Sequence, residues 1–202
     1  DTLNETLRDR VDPYLKKHGS KANLRVGYGL TEATSAVCVT PRYYFKEGGI
    51  GIPLPDMNFK IVKIGTFKKA KPNEDGEICI NGPNVMLGYL NEPEETANTL
   101  IKHTDGKIWL HTGDVGSIDK DGLLYFKSRI KRMYITNGYN VYPSYIEEIL
   151  KQHESIYMAA VIGIPHPYKG EVGKCFIVLN EGLKPTFEIK KSINKHLKKN
   201  LA

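Results

Sequence analysis

The chain has 202 residues, of which 40% are hydrophobic and 26% charged, the balance of a globular protein with room for one large or two small domains. Its most apolar stretch, around residues 159–164, is far shorter than the roughly 20 residues that cross a bilayer, so a transmembrane helix is excluded. The formal charge of +6 is local, because residues 183–202 hold six lysines and one glutamate.

The first five residues carry neither an initiator Met nor the basic-then-apolar pattern of a signal peptide, and the chain is expected to be part of a longer protein. Leu3, Leu7, Val11, Tyr14 and Leu15 share a helical face that Gly19 terminates. Asn23 to Gly27 reads as a short strand, and the Pro- and Gly-rich residues 41–55 read as a loop. Residues 58–64 and 76–81 form strands joined by a long lysine-rich connection. Asn91, Pro93 and the acids after it open a helix that runs to about Leu100. Asp121-Gly122 fits a hairpin turn between strands at 114–118 and 123–127.

Ser144 and Glu147 have capping-box spacing at the start of a helix ending near Gln152. Strands at 156–164 and 172–179 follow. The last segment sets Ile189, Ile193, Leu197 and Leu201 at a four-residue step among Lys184, Lys190, Lys191, Lys195, Lys198 and Lys199. That is an amphipathic helix with a solvated lysine face, and it lacks the wide basic surface and aromatic platform that nucleic-acid binding asks for. A basic nucleic-acid-binding module is the rival reading from another class. Cys38, Cys79 and Cys175 are odd in number and far apart, without disulfide-framework or zinc-site spacing, which points to the reduced cytosol. The histidines show no metal-ligand spacing either.

Three strings carry chemistry. In Gly27-Tyr28-Gly29-Leu30-Thr31-Glu32 an aromatic face lies beside glycines that admit close approach, followed by a hydroxyl and a carboxylate. Such a set suits an adenine ring, a phosphate and its Mg²⁺. Trp109-Leu110-His111-Thr112-Gly113-Asp114 places at a strand start an aspartate able to accept from both hydroxyls of a ribose. Arg129-Ile130-Lys131 is basic and falls at the one marked change of pattern along the chain. Each also has a plainer use: a packed tyrosine, a helix cap or turn aspartate, a solvated loop.

In this order and at these intervals the strings resemble the adenylate-forming superfamily of acyl-CoA synthetases, luciferases and peptide-synthetase adenylation domains. Tyr28-Gly29-Leu30-Thr31-Glu32 is similar to its Tyr-Gly-x-Thr-Glu motif and Thr112-Gly113-Asp114 to its Thr-Gly-Asp motif. Gly76 to Pro83 with Gly88-Tyr89 resembles the stretch between them, and Ser128-Arg129-Ile130-Lys131 resembles its hinge. Asn137-Gly138-Tyr139-Asn140-Val141-Tyr142-Pro143 looks like acyl-CoA ligases, and the wording of the first two motifs looks like fatty-acid CoA ligases.

The resemblance implies an α+β fold: a β-rich, distorted barrel-like subdomain of a large AMP-binding domain over residues 1–129, then a small α+β C-terminal lid domain over 130–202. It implies an enzyme that joins a carboxylic acid, fatty or related, to the α-phosphate of Mg-ATP, releases pyrophosphate, and passes the acyl group to CoA. Delivery to a carrier-protein thiol is the rival within the same fold. Gly27, Tyr28, Gly29, Thr31, Asp114, Phe126 and Arg129 would contact ATP or AMP, with Glu32 holding Mg²⁺. Thr31, Glu32 and the hinge residue Lys131 would serve the reaction, and Asn137 and Gly138 would face CoA. The implied partners are these small molecules, with no nucleic acid.

Ser128 stands where the family usually has Gly, Arg132 where an acid often follows the hinge, and Ile135 where many relatives have Lys. The chain contains neither the Ser/Thr/Gly-rich phosphate loop nor the Pro-Lys-Thr-x-x-Gly-Lys string of relatives. The 202 residues alone are therefore expected to fold without adenylating.

Overall fold

The computed structural model describes residues 5–44 and 46–201. Among them are four α-helices and two β-sheets, an α+β fold. The chain divides into two compact units, one running to Thr112 with Gly116–Phe126, the other comprising Gly113–Val115 and everything from Lys127.

In the first unit, α1 (Glu5–Lys17) ends as the sequence suggests, with Gly19 left-handed at φ 78°. Leu3, the first residue of the expected apolar face, lies outside the described residues. Strands β1 (Gly27–Leu30), β2 (Ser35–Val39), β3 (Gly49–Pro53), β4 (Asn58–Val62), β5 (Gly76–Asn81), β6 (Leu100–Lys102), β7 (Ile108–Ile118) and β8 (Leu124–Arg129) build the larger sheet. Its order is β1-β2-β3-β8-β7-β5-β4, with β6 paired to β7. Helix α2 (Pro93–Thr99) lies where Pro93 and its acids place it.

Two expectations fail here for backbone reasons. The strand expected over residues 23–27 begins only at Gly27, because the preceding polar groups are satisfied one at a time without a ladder. Leu24 N donates to Asp12 Oδ1 at 2.7 Å, Arg25 donates to the carbonyls of Pro41 and Arg42, and Thr40 N donates to Val26 O. The expected loop over 41–55 contains β3. Its Gly51 has φ 132°, and a Cβ there would lie 2.4 Å from the Val39 carbonyl carbon, so this glycine serves close strand packing.

The main core gathers Val37, Ile50, Ile61, Ile78, Ile80, Leu110 and Leu124. Val62, Cys79 and Trp109 form a separate buried cluster. Strand alternation explains the division, since Ile78 and Ile80 face one side of β5 and Cys79 the other. The expected hairpin joins β7 to β8, although β7 starts at Ile108, well before residue 114.

The second unit contains β9 (Tyr134–Thr136), β10 (Tyr139–Val141), α3 (Pro143–Lys151), β11 (Ile156–His166), β12 (Gly170–Leu179) and α4 (Phe187–Asn200). Its sheet runs β10-β9-β12-β11, and β11 and β12 form one long antiparallel ladder from Ile156↔Leu179 to His166↔Gly170. Tyr134, Leu150, Ile156, Val161 and Ile193 form the core, with Ile189 and Leu197 of α4 against it and the helix's lysines exposed. Thr186 caps α4, its hydroxyl accepting from Ile189 N at 3.3 Å.

The expected capping box at α3 does not form. Tyr142 is the N-cap, and Ser144 Oγ donates instead to Lys127 O at 2.5 Å. Glu147 is needed elsewhere: its Oε1 accepts from Val161 N at 2.8 Å and from Arg132 Nη2 at 2.5 Å. No helix of the described residues is long and apolar enough to cross a membrane.

Candidate functional site

Tyr28 leaves β1 half-buried, its ring 6.4 Å from that of Phe126 with a 35° tilt. The two motif glycines next to it differ in role. A Cβ on Gly29 would sit 1.8 Å from the Ser35 carbonyl oxygen, whereas one on Gly27 would meet Cys38 O at 3.3 Å. Gly29 is therefore dictated by the β1–β2 pairing, whose register slips between Tyr28 and Gly29.

Thr31–Ala33 forms a single 3-10 turn, with Thr31 exposed and Glu32 half-buried. The turn is tied to the segment before α2. Met86 N donates to Glu32 O at 2.8 Å, Asn84 Nδ2 to Ala33 O at 3.1 Å, and Thr34 Oγ1 to Asn84 O at 3.0 Å. The Glu32 carboxylate is itself positioned, because Tyr89 Oη donates to its Oε1 at 2.8 Å. Burial and then the Glu32 hydrogen bond push the Tyr89 phenol up, which keeps it a donor. The sequence gives Tyr89 no role, since its partner stands 57 positions earlier in the chain. A carboxylate with one oxygen so held and the other a hard donor fits Mg²⁺.

Asp114 lies in β7 and is only 3% exposed. Arg129 Nε, on a largely exposed side chain at the end of β8, stands 3.2 Å from its Oδ1. Charge compensation of this kind is what permits a carboxylate to be buried. Gly113 before it takes φ 70° with open space around it, and Thr112 Oγ1 donates to Ile78 O at 2.8 Å, tying β7 to β5. Ser128 is buried, and its Oγ has no hydrogen-bond partner among the described residues, so the hydroxyl in place of a family glycine has gained nothing.

Lys131 is exposed in the 3-10 turn Ile130–Arg132. Arg132, where relatives often carry an acid, pairs with buried Glu147. Asn137 and Gly138 form the two-residue loop between β9 and β10, with φ 49° and 82°, and both are exposed. Successive positive φ values are the type I′ signature of Asn-Gly, and a Cβ on Gly138 would meet nothing within 4 Å. This glycine is set by the turn.

Residues 2–90 match the model of the AMP-binding enzyme family, and residues 145–202 match the AMP-binding enzyme C-terminal domain. A long-chain-fatty-acid–CoA ligase of Bacillus subtilis (strain 168) is 44% identical over 166 residues, 80% of this chain and 28% of that protein. A luciferin 4-monooxygenase of Nipponoluciola cruciata is 40% identical over 176 residues, 87% of this chain and 31% of that protein. The solved o-succinylbenzoate CoA synthetase of Bacillus subtilis, in complex with the acyl-adenylate intermediate OSB-AMP, superposes with a TM-score of 0.79 at 30% identity. That match covers 94% of this chain and 37% of the other. The chain thus spans about a third of the length of the curated relatives it matches. With its motif residues set on these strands and turns, and with both family models in sequence order, the chain belongs to the adenylate-forming AMP-binding enzymes.

Proposed function

We propose that the enzyme carrying this chain activates a carboxylic acid, a fatty acid by preference, as an acyl-adenylate and transfers the acyl group to CoA. The observation that carries the reading is the buried Asp114 carboxylate paired with Arg129, in the stretch between the segments that match the AMP-binding enzyme family and its C-terminal domain. A carboxylate is a poor electrophile, and bonding it to the α-phosphate of ATP with loss of pyrophosphate gives it a leaving group, AMP. The CoA thiolate then displaces that AMP.

Tyr28, with Phe126 beside it, offers an aromatic face to adenine, and the Gly27 and Gly29 backbone lies next to it. Asp114 accepts from the ribose hydroxyls, and Arg129 donates to ribose or phosphate. The Thr31 hydroxyl donates to a phosphate oxygen. Glu32, fixed by Tyr89, would hold Mg²⁺, which supplies charge compensation to the phosphates when bound. Lys131 is the hinge between two poses of the lid unit, residues 130–202 in this reading, and the exposed Asn137-Gly138 turn meets CoA.

The test is pyrophosphate exchange across a series of carboxylic acids with an enzyme containing this sequence, followed by a choice of acceptor thiols. Exchange that depends on fatty acid, with thioester formed on CoA, is the expected result. Acyl transfer to a carrier-protein thiol in preference to CoA would replace the reading with its rival. In single-turnover assays Lys131→Pro is expected to slow thioester formation at least tenfold more than adenylation. Equal loss of both half-reactions would remove the hinge role.

A further inference from the structure

We propose that Cys79, His103 and His111 form a binding site for a single zinc-class divalent ion. The three come from different elements: Cys79 from β5, His111 from β7, and His103 from the turn between β6 and β7. One ligand atom from each lies within 4.8 Å of the others. His103 Nε2 is 2.8 Å from His111 Nε2, and Cys79 Sγ is 3.7 Å from His111 Nδ1. Glu77, two residues before Cys79 on the same side of β5, places Oε2 at 2.7 Å from His111 Nδ1.

The proton inventory of this cluster leaves one lone pair unused. With Glu77 as the carboxylate and one proton on each imidazole, His111 Nδ1 donates to Glu77, His111 Nε2 accepts, and His103 Nε2 donates across the 2.8 Å contact. His103 Nδ1 is then a bare acceptor. His103 is only 7% exposed, and this nitrogen has no hydrogen-bond partner among the described residues. The two Nε2 atoms in contact share one proton where an ion could serve both.

The surroundings favour a borderline-soft ion. Two imidazoles and a thiol suit zinc and its neighbours and disfavour Mg²⁺ or Ca²⁺. Cys79 is fully buried, Trp109 is 5% exposed, and the Phe67 ring meets both imidazoles edge-on, at 5.3 and 6.1 Å between centroids. Lys60, the nearby cation, is already engaged by Asp105 at 2.9 Å and by the Trp109 ring at 4.0 Å. A tetrahedral ion sets its nitrogens roughly 3.3 Å apart and nitrogen and sulfur roughly 3.6 Å apart; the two Nε2 atoms stand 2.8 Å apart, and the Cys79 thiol, now 3.7 Å from His111 Nδ1, must turn toward Nε2 to join them. Glu77 behind His111 Nδ1 is the outer carboxylate that orients a ligating histidine, and a solvent molecule completes the tetrahedron.

Binding breaks the Cys79 S–H bond and forms a metal–sulfur bond, and the thiol proton passes to solvent. His103 keeps one proton by moving it from Nε2 to Nδ1, and His111 keeps its own. The balance is a single proton released per ion near pH 7, where an ordinary cysteine is a thiol. The clip would join β5 to the β6–β7 turn and stabilise the fold in proportion to ion concentration. None of these residues is given a contact with the nucleotide, so the two proposals stand or fall separately.

The test uses the 202-residue chain without a polyhistidine tag, stripped by chelator and titrated with Co²⁺, then Zn²⁺. The expected result is saturation at a single Co²⁺ with a thiolate-to-cobalt charge-transfer band, its displacement by Zn²⁺, and release of about one proton per ion. Cys79→Ser should abolish the band, Cys175→Ser should leave it unchanged, and His103→Gln should weaken Zn²⁺ binding roughly tenfold or more. No thiolate band in the wild-type chain, or a band lost in Cys175→Ser, overturns the site. Should Cys79→Ser not fold by circular dichroism, the wild-type and Cys175→Ser titrations decide.

Discussion

An alanine at position 29 would bring its Cβ within 1.8 Å of the Ser35 carbonyl oxygen, a backbone atom that cannot rotate away. Relief requires shifting β1 against β2 at the point where their register slips. Gly29→Ala is therefore expected to lower stability by roughly 1–3 kcal/mol, read as a fall in the urea midpoint at unchanged slope. An unaltered midpoint would mean that β1 yields freely. Single residues were legible in the sequence where a short string carries them: Tyr28, Glu32 and Asp114 stand out because neighbours in the chain define their motif. Tyr89 shows only as part of a longer stretch without a role of its own, and His103 does not show at all, because their meaning lies in partners from other elements. Gly29 stands out in the sequence as room for close approach, and its own strand partner adds a demand that the sequence does not show.

At the scale of elements, the hairpin between β7 and β8 rests on Asp119. Its Oδ1 accepts from Asp121 N at 2.9 Å and Leu123 N at 3.0 Å, and its Oδ2 takes the Lys46 ammonium at 2.6 Å. Chiefly through Lys46, the carboxyl is held at about 2 against an ordinary 3.8. A depressed carboxyl stabilises the fold fully above its unfolded value, and the contribution is lost as pH falls from 3.8 through about 2. Asp119→Asn keeps an acceptor oxygen and removes the charge. Urea unfolding should find the variant less stable at about pH 6 and the gap narrowing toward about pH 3. Asp121, 2.7 Å from the same ammonium, makes the loss partial. A gap constant with pH would mean that the ion pair contributes nothing. This hairpin was readable from Asp121-Gly122, because turn chemistry is local. The α3 cap was not, since Ser144 and Glu147 are claimed by Lys127, Arg132 and Val161 from outside the helix. Strand β3 was hidden by glycines that signal loops from sequence alone, yet here let strands pack closely.

For the molecule as a whole, the amphipathic lysine helix was legible, because its periodicity survives without knowledge of partners. Strand order was not, since β3 pairs with β8 and β5 with β7 across long intervals. That contrast has a kinetic consequence. The β11–β12 ladder zips outward from a turn of residues 167–169 between neighbours in the chain, whereas Gly49 must find Tyr125 before the larger sheet closes. Loop-closure entropy is small in the first case and must be met before any reward in the second. During refolding, pulse-labelled amides of residues 156–166 and 170–179 should acquire protection ahead of those in β3 and β8. Simultaneous protection would mean that both units cross one common barrier. A refolding chain would then hold the β11–β12 ladder ordered while β3 and β8 still search for each other.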